Sequence, residues 1–312
     1  MAMISGAQGW VSLGPWGGKG GEYSAYKAEG PIMQITIRHG DVIDSILFES
    51  QSWNGNVIGS SVKIGGTGGS LSSKFHIDSS VERLTSISLT YKDYHGQPII
   101  TSLCFGTNIG NKYGPFGPGS GASVSIPIED GFIAGFHGRG GSFLDAIGIF
   151  VAPKGNVGNE GGCISLGLEG GKEGAYWAYK ADEPIMVISI RYGEAIDSIL
   201  FQSRTGNKLG RSMKIGDNGG GTTKTFSIDS SVEQISSISL TYEKFYGSGE
   251  VTIISLSFET NIGNKYGPFG SRTGTSSVSI PIEGGDFAGF HGRVGVYLTA
   301  IGVLVAPKHV PK

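Results

Sequence analysis

Charge, cysteine and long apolar runs are all scarce in this chain. Of its 312 residues, 24 are Lys or Arg and 26 are Asp or Glu, a charged fraction of 16% with a formal net charge of −2. No basic block or stripe occurs, so the electrostatic footprint of a nucleic-acid binder is missing. No apolar run approaches the length of a membrane-spanning helix, and no membrane partner is expected. The opening stretch, MAMISGAQGWVSLG, has no positive region followed by an apolar one, and no Asn-x-Ser/Thr acceptor occurs anywhere. The expectation is a cytoplasmic protein. There are two cysteines, Cys104 in ITSLCF and Cys163 at the start of the second half. An internal duplication sets Ser257 opposite Cys104 and Trp10 opposite Cys163, so neither half relies on a bridge. Two reduced thiols are expected, the alternative being one bridge between the halves. No Cys/His/Asp cluster has metal-ligand spacing, and no cofactor is expected.

Glycine is what the chain has in excess: 55 of 312 residues, about 18% against a usual share of about 7%. Collagen would need glycine at every third place and far more proline. The apolar fraction of 38%, rich in Ile, Val, Phe and Tyr, excludes a disordered chain. Runs such as IMQITIR, DSILFE, SISLTY, IITSLCF and AIGIFVA are β-branched or aromatic, and nearly every gap between them holds Gly, Pro, Asn or Asp. About a dozen short strands per half follow, with no stretch of 3.6-residue apolar period. The fold class is all-β: a sandwich, barrel or prism.

The duplication is strong. TNIGNKYGPFG stands at Thr107–Gly117 and again, unchanged, at Thr260–Gly270, a period of 260 − 107 = 153. IDSSVE (Ile77–Glu82, Ile228–Glu233), SIPIE (Ser125–Glu129, Ser279–Glu283) and AGFHGR (Ala134–Arg139, Ala288–Arg293) recur around it. A period this long is a whole-domain repeat. The domains are read as 1–154 and 163–312, joined by a polar, flexible linker at 155–162.

Two kinds of string carry the possible chemistry. Glycine-rich loops occur at Trp16–Gly21, Gly65–Gly69, Gly170–Gly174 and Gly216–Gly221. G-x-x-x-D occurs at Gly40–Asp44, Gly141–Asp145 and Gly193–Asp197, whereas Gly295–Thr299 ends in threonine. A carboxylate accepts two hydrogen bonds side by side, which suits a pair of sugar hydroxyls. Backbone N–H groups in a glycine turn supply the complementary donors. Phe143 or Tyr297 could pack on the apolar face of a sugar ring. Each string alone is equally a turn, with Asp as its cap. GGTGG as a phosphate nest would need a Lys-Ser/Thr and a helix start, and has neither. His137 and His291 read as strand-edge residues and not as ligands.

WGGKGG opening a domain, NKYGPFG in its middle and G-x-x-x-D-A-I-G near its end resemble the jacalin-related lectins, in particular their mannose/glucose-binding branch. The resemblance covers essentially the whole chain, twice. It implies two tandem β-prism domains, each of three four-stranded antiparallel sheets, without metal and without catalysis. It also implies mannose- or glucose-containing glycans as partners, and a homodimer or higher oligomer. Carried over by position, one site would use Gly21, the backbone of Ser142 and Phe143, and Asp145. A second kind of site would use Asp41, Val42 and Asp44 beside Gly69, and, in the second half, Glu194, Ala195 and Asp197 beside Gly220. The fourth set, Gly174 with Val296 and Tyr297, faces Thr299 where a carboxylate is needed, and is expected to be silent or very weak. A glycoside hydrolase acting on mannans needs a second carboxylate beside one of these Asp residues. A β scaffold whose glycine loops merely turn is the third reading.

Overall fold

The computed structural model describes residues 10–28, 30–51, 58–154, 163–181, 184–205 and 208–307. The expected linker, 155–162, lies outside the described residues. The chain divides into two compact units, the second beginning at Cys163, and the regular structure described in each is all strand.

The first unit contains β1 (Val11–Gly17), β2 (Glu22–Lys27), β3 (Ile32–His39), β4 (Ile43–Gln51), β5 (Ile58–Gly65), β6 (Leu71–His76), β7 (Leu84–Tyr94), β8 (Gln97–Thr107), β9 (Lys112–Phe116), β10 (Ala122–Glu129), β11 (Gly131–Gly140) and β12 (Leu144–Pro153). The second contains β13 (Ile164–Gly170), β14 (Ala175–Lys180), β15 (Ile185–Tyr192), β16 (Ile196–Thr205), β17 (Lys208–Gly216), β18 (Thr222–Ser227), β19 (Ile235–Lys244), β20 (Val251–Thr260), β21 (Lys265–Phe269), β22 (Ser276–Pro281), β23 (Gly285–Val294) and β24 (Leu298–Pro307).

Within the first unit the strands pair as β1-β12-β11-β2, β5-β4-β3-β6 and β9-β8-β7-β10. The second repeats this as β13-β24-β23-β14, β17-β16-β15-β18 and β21-β20-β19-β22. Each sheet is a central antiparallel hairpin flanked by two strands, and three such sheets make a β-prism. The strands alternate as a half-buried sheet must: β3 buries Ile35, Ile37 and His39 while Thr36 and Arg38 stay partly exposed.

One phenylalanine from each sheet meets at the centre. Phe48 of β4 stacks on Phe136 of β11 with centroids 4.0 Å apart, and Phe105 of β8 meets Phe136 edge-on at 6.0 Å. Phe201, Phe290 and Phe258 repeat the trio at 4.2 and 6.0 Å. All six are fully buried, and their edge-to-face geometry adds to the burial term.

The repeated TNIGNKYGPFG string has a structural task. Glu82, closing IDSSVE, is 3% exposed. It accepts hydrogen bonds from Asn111 Nδ2 at 2.9 Å and from the Tyr113 hydroxyl at 3.1 Å. Glu233 accepts from Asn264 (2.7 Å), Tyr266 (3.1 Å) and Thr260 (2.9 Å). Burial works against both charges, but these donors outweigh it and hold both carboxyls below the ordinary glutamate range. Both strings therefore tie a loop to the sheet carrying β9 or β21.

The histidines correct the sequence reading. His137 lies in β11 and His291 in β23, inner strands of their sheets, and they are 0% and 1% exposed. They are core residues, not strand-edge ones. His137 Nε2 lies 3.0 Å from the Leu13 carbonyl, and burial pushes the imidazole below its ordinary pKa. Cys104 and Cys163 are both free thiols.

Candidate functional site

Each sheet joins its first strand to its last partner through a five-residue loop that begins at a glycine. The first-sheet loop of the first unit, Gly17–Gly21, packs on β12. The Gly18 amide donates to the Asp145 carbonyl at 2.8 Å. The carboxylate of Asp145, 8% exposed, then faces the loop's last two residues. A Cβ on Gly20 would fall 2.8 Å from its Oδ1, and one on Gly21 2.6 Å from its Oδ2. The turn before it is closed by the Gly141 amide donating to the Phe143 carbonyl at 3.0 Å. Ser142 is exposed and Phe143 partly so, with the Phe143 ring edge-on to Tyr94 at 5.5 Å.

The second sheet of the same unit repeats this. Asp44 is 6% exposed and faces Gly68 and Gly69, where a Cβ on Gly69 would fall 2.8 Å from Oδ2. The Gly66 amide donates to the Asp44 carbonyl at 2.9 Å, and that of Gly40 to Val42 at 3.0 Å. Asp41 is exposed, whereas Val42 is buried, so only its backbone is available to a ligand. A Cβ on Gly66 would run into the Ser142 carbonyl, so the Asp44 and Asp145 loops share one end of the unit. In the second unit Asp197, 4% exposed, faces Gly219 and Gly220, and its Oδ2 is buried with no hydrogen-bond partner among the described residues. Glu194 is exposed, and Ala195 is a core residue packed with Phe245 and Ile254.

Burial pushes all three aspartates above the ordinary carboxylate range. At Asp145 the Gly141 amide and the Arg139 guanidinium oppose it, and at Asp197 the Gly193 amide and Arg191 do so. At Asp44, Arg38 and His39 oppose burial and Asp41 adds to it.

The fourth set differs in two residues, not one. Its turn closes in the same way, Gly295 N to Tyr297 O at 3.0 Å, and Gly174 keeps its positive φ of 89°. Thr299, however, is 1% exposed and donates its hydroxyl to the Glu173 carbonyl at 2.7 Å. Val296 is exposed and Tyr297 lies edge-on to Phe245 at 5.1 Å. Glu173 stands where the three aspartate loops have Gly20, Gly68 and Gly219. The third sheets follow suit: Thr101 pairs with Ser120 and Ile254 with Thr273, in the loops Gly117–Gly121 and Gly270–Gly274. Thr101 also donates to the carbonyl of its loop residue, Ser120, at 2.5 Å. Six loops thus obey one rule: glycine at the fourth place where the strand offers Asp, a side chain where it does not.

The sequence reading assigned the fifth-place glycines and missed the fourth. It also missed Arg139, Arg38 and Arg191, which hydrogen-bond the loop carbonyls. An R-x-G-x-x-x-[D/T] spacing, present four times, was the available signal. Among the described residues no group of three His, Cys, Asp or Glu side chains could hold a metal ion.

Fold and loops together define a class: a duplicated all-β binding module whose candidate sites each combine one buried carboxylate with a glycine loop. The chain belongs to the jacalin-like lectin domain family, whose model matches residues 13–150 and 166–304. A mannose/glucose-specific lectin of Parkia pendula is 42% identical over 304 residues, covering 96% of this chain and 65% of that protein. An agglutinin of Castanea crenata is 36% identical over 307 residues, covering 94% and 97%. Among solved structures, Malaysian banana lectin is 37% identical over 46% of this chain and 98% of its own, with a TM-score of 0.42. The chain spans about 65% of the length of the two Parkia relatives it matches.

Proposed function

We propose that this protein is a lectin that binds mannose- and glucose-type sugars at three loop sites, centred on Asp145, Asp44 and Asp197, and performs no reaction on them. The observation that carries this is the repeated pairing of a nearly buried carboxylate with a glycine amide. Asp197 Oδ2 is the clearest instance, since a buried, unpartnered acceptor oxygen is costly to keep unless something donates to it. Two vicinal hydroxyls would donate to such a carboxylate, while the N–H groups of Gly21 and of the turn at Ser142–Phe143 donate to their oxygens. The specificity in the names of the Parkia relatives agrees with this chemistry.

The absence of catalysis rests on charge. Glycoside hydrolysis uses two carboxylates across one bond. Among the described residues the charged group that acts on Asp145 is Arg139, and on Asp197 it is Arg191, with no carboxylate acting on either. Asp44 alone has one, the exposed Asp41.

A single-sugar site of about millimolar affinity contributes only about −4 kcal/mol. Two sites at one end of a unit turn the second contact of a branched glycan into an intramolecular one, which raises avidity by about 10²–10⁴ when the spacing fits. Isothermal titration with methyl α-mannoside, methyl α-galactoside as control and Asp145→Asn as variant tests the proposal. It expects mannoside heat only, and one site fewer in the variant. Absence of mannoside heat, or an unchanged site count, contradicts it.

A further inference from the structure

In each aspartate loop an arginine from the neighbouring strand grips the backbone just ahead of the site glycine. Arg139 donates from Nε to the Gly20 carbonyl at 3.0 Å and from a terminal nitrogen to Gly21 at 2.7 Å. Arg38 does the same to Gly68 at 2.7 Å and to Gly69 at 3.0 Å. Arg191 reaches the Gly219 carbonyl from Nε, with Asn218 also within reach at 3.2 Å. The shared contact is Nε to the carbonyl of the loop's fourth residue. That carbonyl and the N–H of the fifth residue belong to one rigid trans peptide plane and point in opposite directions. Holding one therefore aims the other.

We propose that Arg139, Arg38 and Arg191 are positioning residues that aim the amides of Gly21, Gly69 and Gly220 into their sugar sites. This rests on the sugar-binding reading above. Two adjacent glycines are the most mobile backbone a chain can offer, and an unrestrained loop would lose affinity to ordering entropy on every binding event. The fourth set supplies the contrast. Among the described residues Arg293 reaches the Gly174 carbonyl, at 3.1 Å, and leaves the carbonyl of the loop's fourth residue to another donor. The Glu173 carbonyl is held by Thr299. In the third sheets the register places Thr90 and Thr241 where the other sheets have arginine.

The guanidinium also lies close enough to each Asp to favour its ionised form. Among the described residues Arg139 is the charged group that acts on Asp145; Lys19 of the opening loop and Asp93 and His95 of the β7–β8 turn are exposed.

The test is a site-resolved NMR titration of the full chain with methyl α-mannoside, following the amides of Gly21, Gly69 and Gly220 at several pH values. Arg139→Gln is expected to weaken the Gly21 response by about tenfold or more. Gly69 and Gly220 keep their affinities and serve as controls for folding. On acidification Arg139→Gln should lose binding at Gly21 at a higher pH than the wild type. Arg139→Lys should restore that pH but not the affinity, because an ammonium cannot reproduce the planar fork. Arg38→Gln should transfer the defect to Gly69. Unchanged affinity and pH response at Gly21 in Arg139→Gln overturns the proposal, as does equal weakening at all three glycines. Silence of all three amides in the wild-type protein removes the sugar-binding reading, and this proposal with it.

Discussion

Glu169 offers a test of the fold's electrostatics that is independent of ligand. It lies in β13 opposite Ile301, where the first unit has Trp16 opposite Ile147. A carboxyl 8% exposed thus occupies the place of an indole, and burial alone pushes its pKa from 4.5 to about 7. Below about pH 4.5 the folded and unfolded chains both carry the neutral acid, and the buried site has no penalty. As pH rises from there toward 7 the unfolded chain ionises while the folded one holds its proton, so stability falls; above about 7 the loss is complete. That interval, at about 1.36 kcal/mol per pH unit, corresponds to about 3 kcal/mol. Glu169→Gln removes the titration and keeps the shape. Hydrogen exchange in peptides covering β13 and β24 reads the stability of the second unit within the intact chain. At about pH 8 the variant should be protected roughly a hundredfold better than the wild type, and near pH 4 the two should coincide. An advantage of equal size at both pH values, or none at either, refutes the reasoning.

Other outcomes follow from the same geometry. Thr299→Asp combined with Glu173→Gly should raise the number of mannoside sites from three to four in isothermal titration, whereas Thr299→Asp alone should not, because a Cβ at the fourth loop place crowds the carboxylate. Mannoside affinity should fall on acidification, since burial raises all three site aspartates and protonation removes the charged acceptor; titrations from about pH 7 to about pH 4 check this, and a flat profile contradicts it. Phe201→Ala, at the meeting point of three sheets, should destabilise the second unit by about 3–5 kcal/mol, measured as loss of hydrogen-exchange protection in β16 and β20 with β4 and β8 unaffected.

The all-β class and the twelve strands per unit were legible because glycine and proline punctuate β-branched runs at almost every turn. The duplication was legible because whole strings repeat. The three-sheet arrangement was not, and came only through family resemblance: nothing in the spacing of Phe48, Phe105 and Phe136 announces that they meet. The histidines of AGFHGR misled because a polar residue in a glycine-rich strand looks peripheral, while His137 is buried with its Nε2 against the Leu13 carbonyl. Site carboxylates were visible as G-x-x-x-D, but the roles of Arg139 and Gly20 were not. The R-x-G-x-x-x-[D/T] spacing marks the arginine, but its role depends on a contact across 119 residues, which the spacing does not show.

The two glycines that end each site loop answer to different forces. Five of the six at the fifth place, Gly21, Gly69, Gly121, Gly174 and Gly220, have φ between +64° and +105°, with or without an aspartate opposite, and Gly274 alone of the six does not. The turn itself demands them, so they persist where no site is expected. Gly20, Gly68 and Gly219 have ordinary φ, and any residue could adopt their backbone. What excludes a side chain there is the carboxylate, whose Oδ1 stands where the Cβ would be. Once the Asp is replaced, as at Thr101, Ile254 and Thr299, that constraint disappears, and a fourth-place glycine would only add backbone entropy to be lost on folding. Serine, threonine and glutamate take the fourth place, and Thr101 and Thr299 turn their hydroxyls onto the carbonyl of the residue that replaced the glycine. Loss of a site is therefore a coupled change: the strand residue and the fourth loop residue relax together, and recovering it requires reversing both.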